Sequence, residues 1–469
     1  MKFLRFLGAA FAVIACLHGS AFGATVTVST GDALYAALKA AAPGDVVQLA
    51  DGSYPVLNLY SNDQYPLFVK AAPGVTVSPA PGAHPVIGGL SLTGAQGLTF
   101  RGLDVQMTPT QQYGVFVGQS GLIVLDGLIV HQADGSLQGV GVFARESRDV
   151  TVSNSELHHL GVGVSALDTA RPCISASRFH DIESDGIDFA GDPEACAIGN
   201  RFTDFHPLAG DHPDAIQFWP TAANPLASGA VVKDNVIERG NSLGWALQPD
   251  GSTLHVPMGP QGVFVEGQAN ITITGNGLLG TMYNGIGLST VQTALVADNF
   301  VQGFTDMATR IITRGQSSDV TLRNNSSQAI VTVDSEGPFP NYAVSGTIIL
   351  QPAAVGDTSA MDAWLAAKGV TLPAPAPNAT VDPTIALNAQ ISSLTANVVL
   401  LTNQISAMNV TAAANAAMLA AAQTKIAALR TSESQIKALA AQGKAAPAKS
   451  KNGYFDQITS NATAALAPP

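Results

Sequence analysis

Short runs in which apolar and polar residues alternate fill most of the chain from about Val56 to Leu350, and one phrase keeps returning among them. Its copies are Gly114-Val115-Phe116-Val117, Gly163-Val164, Gly186-Ile187-Asp188-Phe189, Ala215-Ile216-Gln217-Phe218, Gly262-Val263-Phe264-Val265 and Gly285-Ile286-Gly287-Leu288. The steps from Gly163 to Gly186 and from Gly262 to Gly285 are both 23 residues, a period that signals a solenoid whose repeats bury their core against their neighbours. Asn154, Ser177 and Asn276 each stand nine residues before their Gly, and Asn200, Asn235 and Asn299 follow strands of the same type. This column reads as a ladder of side chains stacked one strand spacing, about 4.8 Å, apart. The segments are rich in Val, Ile, Thr and Phe and punctuated by Gly, Asn and Asp, which is strand and turn chemistry. The pattern predicts an all-β chain, a right-handed parallel β-helix with three short strands per coil.

The pattern changes at both ends. Thr30 can cap a helix from Gly31 to Ala42, with Leu34 and Leu38 on one face and Pro43-Gly44 as its stop, which predicts an N-terminal helical cap over the open end of the solenoid. Thr358 to Lys368 reads as a second capping helix. The largest irregularity is the 47-residue step from Ala215 to Gly262, two coils or one decorated coil, within which Asn241 to Gln261 lacks alternation and reads as a long loop. After the β-helix (24–371) comes a Pro-rich linker (372–383), then a heptad region (384–440). There Ile391, Val398, Ile405, Ala412, Leu419 and Ile426 fall on one seam, and Leu387, Leu394, Leu401, Met408, Asn415, Ala422, Leu429 and Ile436 on the other. A C-terminal α-helical coiled coil is expected, joining a homo-oligomer (dimer or trimer) through residues 387–436; a helix folded back on the solenoid is the alternative. Residues 441–469, rich in Ala, Lys, Pro and Asn, read as a disordered tail.

Residues 1–23 read as a signal peptide: Lys2 and Arg5, an apolar run from Phe6 to Leu17, then Ala21-Phe22-Gly23 before Ala24. Val13-Ile14-Ala15-Cys16 also resembles a bacterial lipoprotein box, with Cys16 as the acylated residue. Either way the protein is expected to be exported, to the periplasm, the medium or the cell surface, and no run reaches the ~20 apolar residues of a transmembrane helix. A net charge of -12 and only 12% charged residues argue against nucleic acid as a partner. Cys173 and Cys196 are separated by the repeat period and should stack in neighbouring coils, either as a disulfide or as two buried thiols.

Candidate chemistry gathers where polar residues interrupt the repeat. Registering the coils puts Asp185, Asp214, Gln261 and Asn284 in one column and Asp188, Gln217, Phe264 and Gly287 in another; alternation points Asp188 and Gln217 outward. A third column would hold His158, Asp181, Asp204 and Arg239, with His180, His206, Asp211 and His212 nearby. Nine acidic residues from Asp181 to Asp214 face a single basic one, Arg201. Such crowding raises carboxyl pKa values or calls for a cation, so Asp185, Asp188 and Asp214 are candidate ligands for Ca²⁺ and, with His206, His212 and Gln217, candidate catalytic groups. Trp219, Arg239, Tyr283 and Asn284 are candidate substrate contacts, Trp219 by stacking on a sugar face. Asp capping coil turns and His on a solvated turn are the structural readings of the same residues.

Two stretches carry a family resemblance. Ala41-Ala42-Pro43-Gly44-Asp45-Val46-Val47-Gln48-Leu49-Ala50-Asp51-Gly52-Ser53-Tyr54 resembles the opening of β-helix polysaccharide lyases of the chondroitinase B and alginate lyase type. Ser184-Asp185-Gly186-Ile187-Asp188-Phe189-Ala190 and Gly210-Asp211-His212-Pro213-Asp214-Ala215-Ile216-Gln217-Phe218-Trp219 are similar to phrases of exported β-helix proteins related to pectate lyases and mannuronan C5-epimerases. Those epimerases carry an Asp-Pro-His signature, whereas this chain has Asp188-Phe189-Ala190 and, separately, His212-Pro213-Asp214. The resemblance implies an acidic polysaccharide as partner and a lyase or C5-epimerase as the activity. A glycan-binding adhesin or surface protein, or a tailspike-like depolymerase, is the alternative that the coiled coil suits.

Overall fold

The computed structural model describes residues 23–208, 211, 213–247, 253–332 and 339–370, with separate positions between 423 and 438. Three parallel sheets of 14, 12 and 11 strands lie between Thr25 and Ile349, and successive strands of the chain visit the first, second and third sheet in turn. This is a parallel β-helix, in which each strand pairs with its equivalent one coil away: Ile187 with Ile216, Phe179 with Phe202, Cys173 with Cys196. The inward residues form one continuous core from Val28 to Leu322. Within it Phe179 stacks on Phe202 at 4.8 Å, and Phe189 leans on Phe218 at 4.9 Å.

The repeated glycine has a packing cause. A Cβ at Gly186 would lie 2.6 Å from the Ala215 carbonyl oxygen and 2.7 Å from the Phe202 ring, and at Gly163 it would lie 2.5 Å from Phe179. Core side chains of the second sheet, Phe179 and Phe202 here and Leu157, Leu278 and Val301 at Gly141, Gly262 and Gly285, press against the start of these third-sheet strands, so that column stays small.

The Asn ladder exists, shifted by one residue at its start. Asn200, Asn235, Asn276, Asn299 and Asn325 are buried, and each of the first four Nδ2 groups donates to the next Oδ1 at 2.9–3.0 Å. Upstream the ladder continues through Ser177 and Ser155, not Asn154: Ser155 N donates to Ser177 Oγ at 3.1 Å and Ser177 N to Asn200 Oδ1 at 3.0 Å. Asn154 occupies the preceding turn position, left-handed at φ 50°, as are Ala176, Gly199, Asp234 and Gly275 in later coils. Asn suits that conformation as well as a ladder. Counting back from Gly failed because the turn before Gly186 holds one residue more than the turn before Gly163, with Leu160 pairing with Ile182 but Val164 with Ile187.

Two further elements differ from the sequence reading. The 47-residue step is one decorated coil, since Asp214–Trp219 pairs directly with Gln261–Glu266. Its decoration is an antiparallel ribbon, Leu243–Leu247 with Thr253–Pro257, rather than a structureless loop. A two-stranded ribbon needs no buried apolar face, so it lacks the alternation that marks the coils. Helix α1 (Gly31–Ala40) starts at Thr30, whose Oγ1 accepts the Ala33 N–H at 3.2 Å, and it buries Leu34 and Leu38 in the main core. Helix α2 (Ser359–Lys368) sets Met361 and Leu365 against Val236, Leu279, Phe300 and Phe304. The expected signal peptide, linker, tail and most of the coiled coil lie outside the described residues; the positions described between 423 and 438 are helical. No described helix is long and apolar enough to cross a membrane.

Candidate active site on the third sheet

Neighbouring strands Ile187–Ala190 and Asp214–Trp219 of the third sheet bring the acidic phrases together, as the repeat predicts. Asp188 pairs with Gln217, Gln217 with Phe264, Asp214 with Gln261. Side chains tie the columns. Asp185 Oδ1 accepts the Asp214 backbone N–H at 2.8 Å, Gln217 Nε2 donates to Asp214 Oδ2 at 2.7 Å, and Ser165 Oγ donates to Asp188 Oδ2 at 3.5 Å. Asn284 Nδ2 donates to Gln261 Oε1 at 2.7 Å while its Oδ1 accepts from Arg310 Nε at 3.1 Å. Asp188 Oδ1 and Asp214 Oδ1 are buried without a hydrogen-bond partner.

Burial decides the electrostatics. Asp214 is 1% exposed, and burial, with Asp185 and then Asp188 beside it, pushes its carboxyl well above the ordinary range, Arg314 opposing. Burial, reinforced by the Asp185 charge, pushes Asp188 up to about 7. Two carboxyl groups one coil apart therefore hold protons at pH values where exposed Asp is ionised, and each keeps an oxygen for another partner.

The other candidates divide. Trp219 is 37% exposed at the end of its strand, edge-on to Phe264 at 5.6 Å. Tyr283 is exposed and left-handed at φ 41°. Arg239 is 4% exposed, held by Asp306 through two 3.0 Å contacts and lying over Phe304, so it is not presented to a ligand. His212 lies outside the described residues. His206 is not with Asp188 and Asp214: its Nε2 meets Asp181 Oδ1 at 3.2 Å beside the second sheet.

That second-sheet cluster is the part that sequence reasoning misplaced. Because Asn154 was one position off the ladder, the expected column of His158 with Asp181 and Asp204 is also off by one. His158 stacks between His131 and His180, at 4.8 and 5.0 Å, while His159, Asp181 and Asp204 share the left-handed turn position. The signal was present in the His131 to His158 step of 27 residues and the His158 to His180 step of 22, equal to coil lengths here. Against the cost of its burial, His180 is pushed up to about 9 by Asp181 at 2.7 Å and Glu156 at 2.8 Å. His158, buried between two other imidazoles, is pushed down to about 4. Hydrogen bonds from His180 and then His206 hold Asp181 well below the usual carboxylate range.

Each of the three carboxylates considered for Ca²⁺ has a hydrogen-bond partner within the chain. Asp185 is turned to a backbone N–H, Asp214 to an amide and Asp188 to a hydroxyl. Among the described residues no group of three or more His, Cys, Asp or Glu is placed to hold a metal. Cys173 and Cys196 are joined as a disulfide, with Cα atoms 4.5 Å apart.

Residues 88–301 match the family model of the right handed beta helix region. No curated protein matches the chain. Among solved β-helix structures, the chain is similar to an alginate lyase from Paenibacillus sp. str. FPU-7, at 17% identity over 69% of this chain and 99% of that one, with a TM-score of 0.35. It is similar at 11% identity to a mannuronic acid specific family 6 lyase from human gut microbiota, over 79% and 99% of the two chains, TM-score 0.43. A surface adhesin of Streptococcus pneumoniae is also 11% identical, over 69% and 81%, TM-score 0.39.

Proposed function

We propose that this β-helix acts on a polysaccharide, and that its third-sheet patch transforms an acidic, uronate-containing glycan as a lyase or C5-epimerase. The observation that carries this reading is the pair Asp188, half-buried, and Asp214, buried, on adjacent coils, both raised toward the neutral acid and each with an unpartnered oxygen. Ionised, they would repel a uronate. Protonated, Asp188, the half-buried one, donates a hydrogen bond to its carboxylate and offsets the charge that develops when the C5 proton leaves, while Asp214, 1% exposed, adds no repelling charge. Gln217 and Asp185 position Asp214, and Trp219 offers a ring face to the sugar. His212, two residues before Asp214 in the chain, is the proposed base. It takes the C5 proton; the electron pair then forms the C4–C5 double bond and expels the C4 oxygen, which leaves with a proton from solvent, or solvent supplies a new proton to C5 from the opposite face.

Export, with cleavage before Ala24 or acylation at Cys16, and oligomerisation through 387–436 complete the proposal. Non-catalytic glycan binding is a second reading, favoured by the exposed Trp219, and an oligomer would multiply its weak contacts. The test is to offer the full chain alginate, pectate and glycosaminoglycans while following ultraviolet absorbance of the unsaturated product, with deuterium uptake at C5 as the epimerase readout. Asp188→Ala and Asp214→Ala should each lower kcat/KM by roughly 10²-fold with unchanged far-ultraviolet dichroism. A chelator should leave turnover intact. Activity that survives both substitutions overturns the site, and silence in both readouts leaves binding.

A further inference from the structure

On the outward face of the third sheet, Tyr113, Phe116 and Phe143 make a cluster of partly exposed rings. Tyr113 stacks on Phe143 with centroids 4.8 Å apart and planes within 13°, and Phe116 lies 5.6 Å from Tyr113 and 6.1 Å from Phe143. They are not core residues. The inward positions of these strands are Val115, Val117, Val142 and Ala144, none more than 2% exposed. The Phe116 ring lies over Gly118, where a Cβ would come within 2.7 Å of it, so glycine keeps the ring flat against the strand.

Register joins this cluster to the carboxyl groups. Phe116 pairs with Phe143, Phe143 with Ser165, and Ser165 with Asp188. Rings and acid thus stand in one column across the coils, with only a serine between. Arg145 follows Phe143 by two residues on the same face and pairs with Glu146 at 2.6 Å, both side chains more than 40% exposed. An exposed pair of this kind contributes little and is readily exchanged for another partner. Ring faces take up the apolar faces of a pyranose, and a guanidinium takes a carboxylate in a two-pronged contact.

We infer that Tyr113, Phe116, Phe143 and Arg145 form a distal subsite for a uronate residue of the same glycan chain that reaches Asp188, the chain running across the coils along the solenoid. The inference rests on the third-sheet patch being the place where the glycan is handled. Phe143 and Asp188 are two strand spacings apart, about 9.6 Å, so one sugar cannot touch both and an oligosaccharide can. Binding there adds affinity for long chains and nothing for short ones.

The experiment measures kcat/KM against oligouronate length for the full chain, Phe143→Leu and Arg145→Gln. Each variant should lose roughly tenfold on long oligomers, mainly through KM, and nothing on the shortest one turned over. No loss, or equal loss at every length, overturns the subsite. A second arm needs no turnover: affinity electrophoresis through gels holding polyuronate or neutral dextran. Wild type and Asp188→Ala should be retarded by polyuronate alone, and Phe143→Leu and Arg145→Gln should not. If nothing is turned over yet retardation follows that pattern, the catalytic reading fails and the subsite stands. If turnover is present with loss independent of length, the subsite fails and catalysis stands. Absence of retardation in wild type also overturns the subsite.

Discussion

His180 and Asp188 lie on consecutive strands of the same coil, in the second and third sheets, and burial treats them oppositely. Asp188 is an acid pushed from 3.8 to about 7. Below about 3.8 folded and unfolded chains both hold its proton; between 3.8 and 7 only the folded chain does, so its contribution to stability falls as pH rises through that window. His180 is a base raised from 6.5 to about 9 by its carboxylate partners. Its contribution is fully present below 6.5 and is lost as pH rises through 9. Because His158, pushed down to about 4, contributes in the opposite sense between pH 4 and 6.5, each contribution is read as the difference between wild type and variant: the loss of melting temperature caused by Asp188→Asn should shrink as pH rises from 4 to 7, and that caused by His180→Gln as pH rises from 6.5 to 9. A difference that grows with pH over its window contradicts that shift. Turnover at the third-sheet patch should fall above about pH 7, as Asp188 loses its proton, and this is read from the pH profile of kcat/KM.

Within the elements, the ladder is where one side chain supports several coils. Asn276 accepts from the Asn235 backbone N–H at 3.0 Å and its Nδ2 at 2.9 Å, and donates to Asn299 Oδ1 and the Val232 carbonyl. Asn276→Ala removes the acceptor of the buried Asn235 backbone N–H and one partner each of Asn235 Nδ2, Asn299 Oδ1 and the Val232 carbonyl, and should cost about 3 kcal/mol, measured by urea unfolding. Asn154→Gly, at a left-handed turn outside the ladder, should cost under about 1 kcal/mol. Equal costs would mean that the ladder's side chains are not what holds these turns. The two positions carry the same residue one place apart, and only the neighbouring coil tells them apart.

At the scale of the whole molecule, the β-helix stacks groups that the chain keeps far apart, from 19 residues between Ile311 and Ile330 to 47 between Asp214 and Gln261, and the heptads offer a means of joining copies. Sedimentation should find the full chain as a dimer or trimer and a chain ending at residue 383 as a monomer; a monomeric full chain overturns the coiled coil as an oligomer seam. The sequence by itself determined the fold class, the three-strand coil and the union of Asp185, Asp188, Asp214 and Gln217, because each lies in or beside a copy of the same apolar phrase and the copies pair strand on strand from coil to coil. It also placed Cys173 over Cys196. Tertiary structure alone decided which histidines stack, that Arg239 is spent on Asp306, and that an antiparallel ribbon decorates the long coil. Turns gain or lose single residues without disturbing strand pairing, so a register counted across a turn slips where one counted along a strand does not. Burial, which sets the protonation of Asp188 and Asp214, is likewise a property of the packed coils and not of any one segment.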